Sequence, residues 1–414
     1  MFKKFWLDTI YALAFILVLA FIVTQAFAFK IFDVFDPIGD AFKDMESTDI
    51  VFSQLREDPL AEEDLILVNI GNLNRQGIAD LVNIINAAEP RVIGMDMFFP
   101  ELKPDTLGDL ALSYAFSQVE NLVLVSKLEQ PNDNNTFDSL ALSHEIFSQY
   151  GESAFANFIT GAADQDDIKV CRTFAPKEYA NDELQYALSV KLSYYMDSVK
   201  TMNFLERNKE VEVINYRGNI FDYGATEAPI TYFALDWYQV YDGQFAPELI
   251  KDKCVLFCFL GSELGDRKAL EDKYFTPLNA NYAGKGHADM FGGVVHANAM
   301  SMILSEDYVD QLGDNITYII AIILLYINVV LFVFIYKVMP KWYDGLTKLI
   351  QLIEASTLFT LGLILFNSYS FKVDTTWMIL GVLIAGDALE VYFGVVKNLF
   401  TKEGRKELTQ VKKL

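Results

Sequence analysis

RVIGMDMFFPE, residues 91–101, sets a single carboxylate, Asp96, inside an otherwise apolar run. A carboxylate taken out of water is costly unless it is paired, hydrogen-bonded or at work. The surrounding residues are of the type that fills a strand buried on both faces. Three further runs have the same character: LILVNIG (65–71), NLVLVSKL (121–128) and KCVLFCFLG (253–261). Between them lie helical patterns. GIADLVNIINAAEP (77–90) carries Ile78, Leu81, Val82 and Ile85 on one stripe and stops at Pro90. DTLGDLALSYAFSQ (105–118) opens on an Asp cap and repeats Leu107, Leu110, Ala111 and Tyr114 at helical spacing. Strand alternating with helix in this way predicts a parallel α/β sheet with right-handed crossovers.

The pattern weakens after Leu128. EQPNDNNTFDS (129–139) is a polar loop, NDELQYALSVKLSYYMDSV (181–199) one helix, and EVEVINYRGN (210–219) a strand followed by a turn. TYFALDWYQVYDG (231–243) is expected as a helix ending at Gly243, and GGVVHANAMSMIL (292–304) as a helix beginning at the paired glycines. Cys254 and Cys258 fall on one face of their strand and are expected as buried small hydrophobes. With Cys171 they make no disulfide framework.

The ends of the chain differ in kind from this middle. The protein has 414 residues, a net charge of -23 and a pI near 4.5, yet 52% of its residues are hydrophobic and its mean hydropathy is +0.21. So acidic a chain is not built for nucleic acid. The apolar residues concentrate at the termini. From Phe5 to Phe29 only Asp8 is charged, and FILVLAFIV (15–23) lies in the middle. Ala26-Phe27-Ala28 resembles a signal cleavage site, but the run exceeds the usual signal core of about 7–15 residues. It suits a retained anchor, since about 20 apolar residues cross a bilayer. Three more spans are expected at 316–336, 346–366 and 377–396. Lys3 and Lys4, then Lys337, Lys341 and Lys348, then Lys397, Lys402, Arg405, Lys406, Lys412 and Lys413 mark the cytoplasmic side. The predicted fold class is therefore an α/β extracellular domain with a mainly parallel sheet, anchored by four transmembrane helices, one N-terminal and three C-terminal. The expected division is an anchor at 1–29, an extracytoplasmic domain at 30–312, three spans at 313–396 and a basic cytoplasmic tail at 397–414. A bacterial inner membrane, with membrane lipid around the spans, is the expected setting.

Taken in order, RVIGMDMFFPE with DTLGDLALSYAF, INYRG (214–218), KDKCVLFCFLGSELGDRKALEDKYFTP (251–277) and GGVVHANAMSMIL resemble the second type of CHASE domain. That resemblance implies an extracellular sensor preceded by one span and followed by three, in keeping with the hydropathy. NANYAGKGHADMF (279–291) departs from the family pattern as an insertion. Members often continue into a cytoplasmic kinase or cyclase, whereas only 397–414 follows the last span here. A stand-alone sensor would act through another polypeptide.

Catalysis finds no support: no nucleophile elbow, phosphate loop, HExxH or paired-cysteine metal motif is present. With His144, His287 and His296 as the histidines, no histidine-rich metal site is expected. His287 with Asp289 is read as a solvated loop, and no cofactor or metal is predicted. Ligands of open α/β sheets gather at the C-terminal ends of the strands, which points to Asp96, Glu101, Ser262 and Asp266, with Arg217, His296 and Asn298 able to converge there. For Asp96 a structural role, pairing a buried Arg or capping amides, ranks above ligand contact and catalysis last. Within the spans Glu354, Asp387 and Glu390 stand out. Intramembrane acids cost about 3 kcal/mol each and usually face a partner or bundle interior, and no Lys or Arg sits mid-span to balance them. These three acids are the expected contacts to a partner membrane protein. The function expected is a non-enzymatic envelope sensor or accessory subunit that binds a small extracytoplasmic ligand or a protein. A structural scaffold subunit and a transporter component using the intramembrane acids are the alternatives.

Overall fold

The computed structural model describes residues 2–28, 47–104, 106–131, 137–158, 170–221, 228–266, 268–279 and 287–400. The expected tail at 401–414, the Asp105 cap and most of the 279–291 insertion lie outside the described residues. The chain divides into two units, Asp44–Val309 and the segments Met1–Lys43 with Asp310–Leu414. Each is taken by itself.

The Asp44–Val309 unit is built on a mostly parallel sheet of ten strands. Its first half alternates as the apolar runs predict: β1 (Glu62–Asn69), α1 (Arg75–Asn86), β2 (Val92–Met95), α2 (Thr106–Ser117) and β3 (Leu122–Pro131). Asn74 caps α1 by accepting from the Gly77 N–H at 2.9 Å. Further on come β4 (Phe137–Ala141) and β5 (Glu152–Phe155), which flank β3 antiparallel and parallel respectively. A later strand, β6 (Cys254–Cys258), inserts between β1 and β2 and pairs with both in parallel. Every residue of β2 and β6 is buried, the signature of strands covered on two faces.

One face packs Ile66, Val68, Ile93 and Phe257 against Leu81, Val82 and Ile85 of α1 and Leu112 and Phe116 of α2. The other face carries Cys254 and Cys258, both buried and free, as the spacing predicts. There Gly94 lets a helix at Leu188–Met196 lie close, since a Cβ would stand 2.9 Å from a methyl of Leu192. A longer helix, Gly292–Ser305, begins at the paired glycines as expected and is buried along almost its whole length.

Three expectations fail locally. Residues 181–199 form a strand (Glu183–Tyr186) and then a helix (Leu188–Met196), broken at Asp197. Asp197, extended at φ -149, turns its side chain to cap a second helix, Ser198–Glu206. Residues 231–243 open as strand (Ile230–Leu235), and the helix is confined to Trp237–Tyr241. The branched and aromatic Ile230-Thr-Tyr-Phe run prefers the pleat, and Asp236 with Gln239 makes a capping box that starts the helix late. Residues 210–219 give two two-residue strands, Glu212–Val213 and Asn219–Ile220, in place of one.

Among its described residues the second unit holds four helices long and apolar enough to cross a membrane: Lys4–Ile22, Asp314–Val338, Pro340–Tyr369 and Thr376–Leu399. The first of these carries the buried Asp8, whose carboxylate accepts from Lys337 Nζ at 2.7 Å and pairs with Lys397 at 2.8 Å. Side-chain bonds also join the third and fourth. Gln351 donates to the carbonyls of Val382 and Leu383, and the Tyr343 hydroxyl donates to that of Gly386. Polar contacts of this kind are what join apolar helices wherever lipid surrounds them.

Candidate functional site

The loop after β2 is positioned by a buried ion pair. Arg75, at the first turn of α1, pairs with Asp109 of α2, which is 1% exposed and also accepts from the Lys103 N–H at 2.8 Å. The guanidinium lies 5.5 and 5.2 Å from the Phe99 and Phe147 ring centroids and donates to the Glu101 carbonyl at 2.7 Å. Phe99 is thereby drawn into the core beside Phe116 and Phe147. The backbone N–H of Asp96 donates to the Phe257 carbonyl at 2.8 Å and extends the ladder by one residue. The alternation that buries Met95 then turns the Asp96 side chain into a cavity of about 560 Å³.

The cavity lies over the C-terminal ends of β6, β2 and β5 and the middle of β3. Phe259 follows β6, Asp96 and Phe98 follow β2, Ser126 and Lys127 belong to β3, and Phe158 follows β5. The far wall comes from Glu271, Asp272 and Tyr274 and from Gly292 and His296 of the Gly292–Ser305 helix. The paired glycines bring these walls together. A Cβ on Gly293 would stand 2.5 Å from Cys258 Sγ and 3.7 Å from Asp96 Oδ2, and one on Gly292 would stand 3.0 Å from both carboxylate oxygens of Asp272. The two carboxyls therefore flank consecutive residues of one helical turn.

Among the described residues no donor bonds the Asp96 carboxyl, so the expected buried arginine or amide cap is absent: Arg91, the nearest arginine in the chain, donates to the Met196 carbonyl at 3.1 Å, and Arg75 is taken by Asp109. Burial, and secondly the charge of Asp272, push Asp96 up to about 7. Burial likewise raises Asp272 to about 6, opposed by a hydrogen bond from the Gly292 main chain. The same burial, with Asp96 and Asp272 beyond it, pushes the Cys258 thiol up, so it stays protonated. His296 is the reverse case: its ring stacks on Phe158 at 4.3 Å, and burial lowers it to about 3, leaving it neutral. The Ser126 hydroxyl is fully buried and has no partner among the described residues.

Of the residues expected at the strand ends, Asp96 and His296 line this cavity and the others stand elsewhere. Asn298 is a structural tie. Its side chain accepts from the Arg217 and Gly218 N–H groups and donates to the Gly218 and Val294 carbonyls. Arg217 faces Glu62 at 3.8 Å. Ser262 donates to Asp266 within one turn, and the Ser262 carbonyl accepts from the Trp237 indole. Glu101 contributes its carbonyl to Arg75. Asp272, Tyr274, Phe98, Phe158 and Ser126 were not anticipated. KALEDKYFTP carried an acidic-aromatic signal, but nothing local showed that it returns to the end of β2. The loop reading of His287 with Asp289 is corrected in part. His287 is exposed, while Asp289 is buried and accepts from the N–H and hydroxyl of Thr276.

In the helical unit, Asp387 finds a counter-charge that the linear spacing hid. Lys348, near the start of the third long helix, pairs with it. Glu390 is exposed, and Glu354 is half-buried with Oε2 shielded and unpartnered among the described residues.

A mostly parallel α/β sheet thus carries an acidic, aromatic-walled cavity at its strand ends, the place where open α/β sheets in general take ligands. The family model of the CHASE2 domain matches residues 10–335, and the chain belongs to that family of sensor domains. No curated protein and no solved structure matches it.

Proposed function

We propose that this protein is a non-enzymatic sensor of the bacterial envelope, binding a small ligand in the cavity at Asp96 and acting through a partner membrane protein. The cavity itself carries the proposal. A scaffold would have its strand ends filled, whereas here about 560 Å³ stands open, well inside the range of small-molecule sites. Four apolar helices flanked by lysines support an inner-membrane protein with both termini cytoplasmic and the α/β domain outside. Glu354, with an unpartnered oxygen, and the exposed Glu390 are the groups offered to a partner; Asp387 is engaged by Lys348 within the chain. Signalling of this kind requires the ligand to favour one of two states of the helices.

The test is thermal unfolding of the full chain in mild detergent against fractionated small molecules from the cell envelope. A fraction that raises Tm in the native protein but not in Phe158→Ala supports the cavity as the sensor site. A Tm indifferent to every fraction, or one raised equally in both proteins, refutes it.

A further inference from the structure

We infer that the cavity selects a small organic cation, an aromatic or aliphatic amine, held by the carboxylates of Asp96 and Asp272. The inference rests on the cavity being the ligand site and adds the chemical class. Among the described residues three carboxyls line it, Asp96, Glu271 and Asp272, against the single ammonium of the exposed Lys127 on β3. An anion would meet those three charges, and the first-turn N–H of Gly292 is already engaged, donating to the Asp272 carbonyl at 2.9 Å. A bare metal ion fits no better. Among the described residues no three His, Cys, Asp or Glu side chains are grouped to hold one, and the volume is that of a molecule.

The walls complete the match. Rings of Phe98, Phe158, Phe259 and Tyr274 surround the acids, with Phe158 and Tyr274 edge to face at 5.2 Å. Aromatic faces attract cations, most strongly where water is thin. The buried Ser126 hydroxyl, lacking any protein partner, supplies one more hydrogen-bonding group. Carboxyl, hydroxyl and ring faces together suit an ammonium on an apolar stem. With no cation present, burial and the Asp272 charge hold a proton on Asp96. An arriving ammonium takes the place of that proton between the two carboxyls, beside the first turn of the Gly292–Ser305 helix.

The probes are phenethylamine, phenethyl alcohol and phenylacetate, titrated calorimetrically into the full chain in detergent at neutral pH. The amine is expected to bind about tenfold tighter than the alcohol, the discrimination of one charge-assisted hydrogen bond, and phenylacetate weakest. Asp96→Asn and Asp272→Asn, each checked for a native-like unfolding transition, are expected to bring amine and alcohol within about threefold of each other. If Asp272→Asn does not fold, Asp96→Asn alone decides. Should alcohol and amine bind alike to the native protein, with Phe158→Ala abolishing both, the cavity is a ligand site and the cation inference is wrong. Silence of all three probes overturns the cavity reading along with it.

Discussion

Asp96→Asn separates a carboxyl kept for function from one kept for stability. The native state holds the Asp96 proton up to about pH 7, against an ordinary value of 3.8. Below the lower value folded and unfolded chains are both protonated and the contribution to stability is complete. As pH rises toward 7 the unfolded chain has released its proton while the fold retains it, so stability is lost progressively and levels off above 7. At about 1.4 kcal/mol per pH unit, Asp96 costs the native protein roughly 2–3 kcal/mol between pH 5 and 8. This figure is a ceiling, because water reaches the half-buried carboxyl from the cavity. Asparagine cannot titrate and has nearly the same shape. The variant should therefore gain on the native Tm as pH rises from 5 to 8. At about 2 °C per kcal/mol for a domain of this size, the gain over that range is about 4 °C. Differential scanning fluorimetry of both full-length proteins in detergent, in steps from pH 5 to 8, reads this directly. A Tm difference independent of pH, or one that moves against the variant as pH rises, would refute a strained, unpartnered Asp96.

Three other perturbations test the architecture around the site. Asp109→Ala leaves Arg75 charged, 10% exposed and without its carboxylate, and is expected to lower urea-unfolding stability by about 3–5 kcal/mol; a loss under 1 kcal/mol would show that the pair does not hold the Phe99 loop. Gly293→Ala drives a Cβ to 2.5 Å from Cys258, a clash expected to cost about 1–3 kcal/mol. Adding Cys258→Gly should cost less than the sum of the two single changes, and strict additivity in a double-mutant cycle would place the strain elsewhere. Glu354→Leu removes an acid whose Oε2 has no partner among the described residues. If another membrane protein supplies that partner, its recovery on gentle purification should fall several- to tenfold, the worth of about 1–2 kcal/mol of interhelical hydrogen bonding. Undiminished recovery in both Glu354→Leu and Glu390→Leu removes the acids from any docking role.

What the linear chain determined was the set of layers. Runs such as VIGM and CVLFC are apolar on both sides because a parallel strand covered by helices has no wet face. The 3.6-residue stripe of Ile78, Leu81, Val82 and Ile85 needs only local geometry to be read. The same holds for the long apolar helices, since length and composition suffice for them. Asp96 was marked at the end of its strand for the same reason, by position along a run. Its partners were a different matter. Whether a carboxylate is paired depends on which strands and loops return beside it, and the chain brings back Asp272 rather than an arginine. Arg75 went to Asp109, Asp8 found Lys337 and Lys397, and Asp387 found Lys348, each across a separation that no periodicity records. Arg217 and Asn298, which the chain order placed near the ligand, instead tie a buried turn to a helix. Electrostatic and hydrogen-bond partnerships are short-ranged in space and indifferent to sequence distance. Only the folded arrangement decides which acids are neutralised and which stay unpaired.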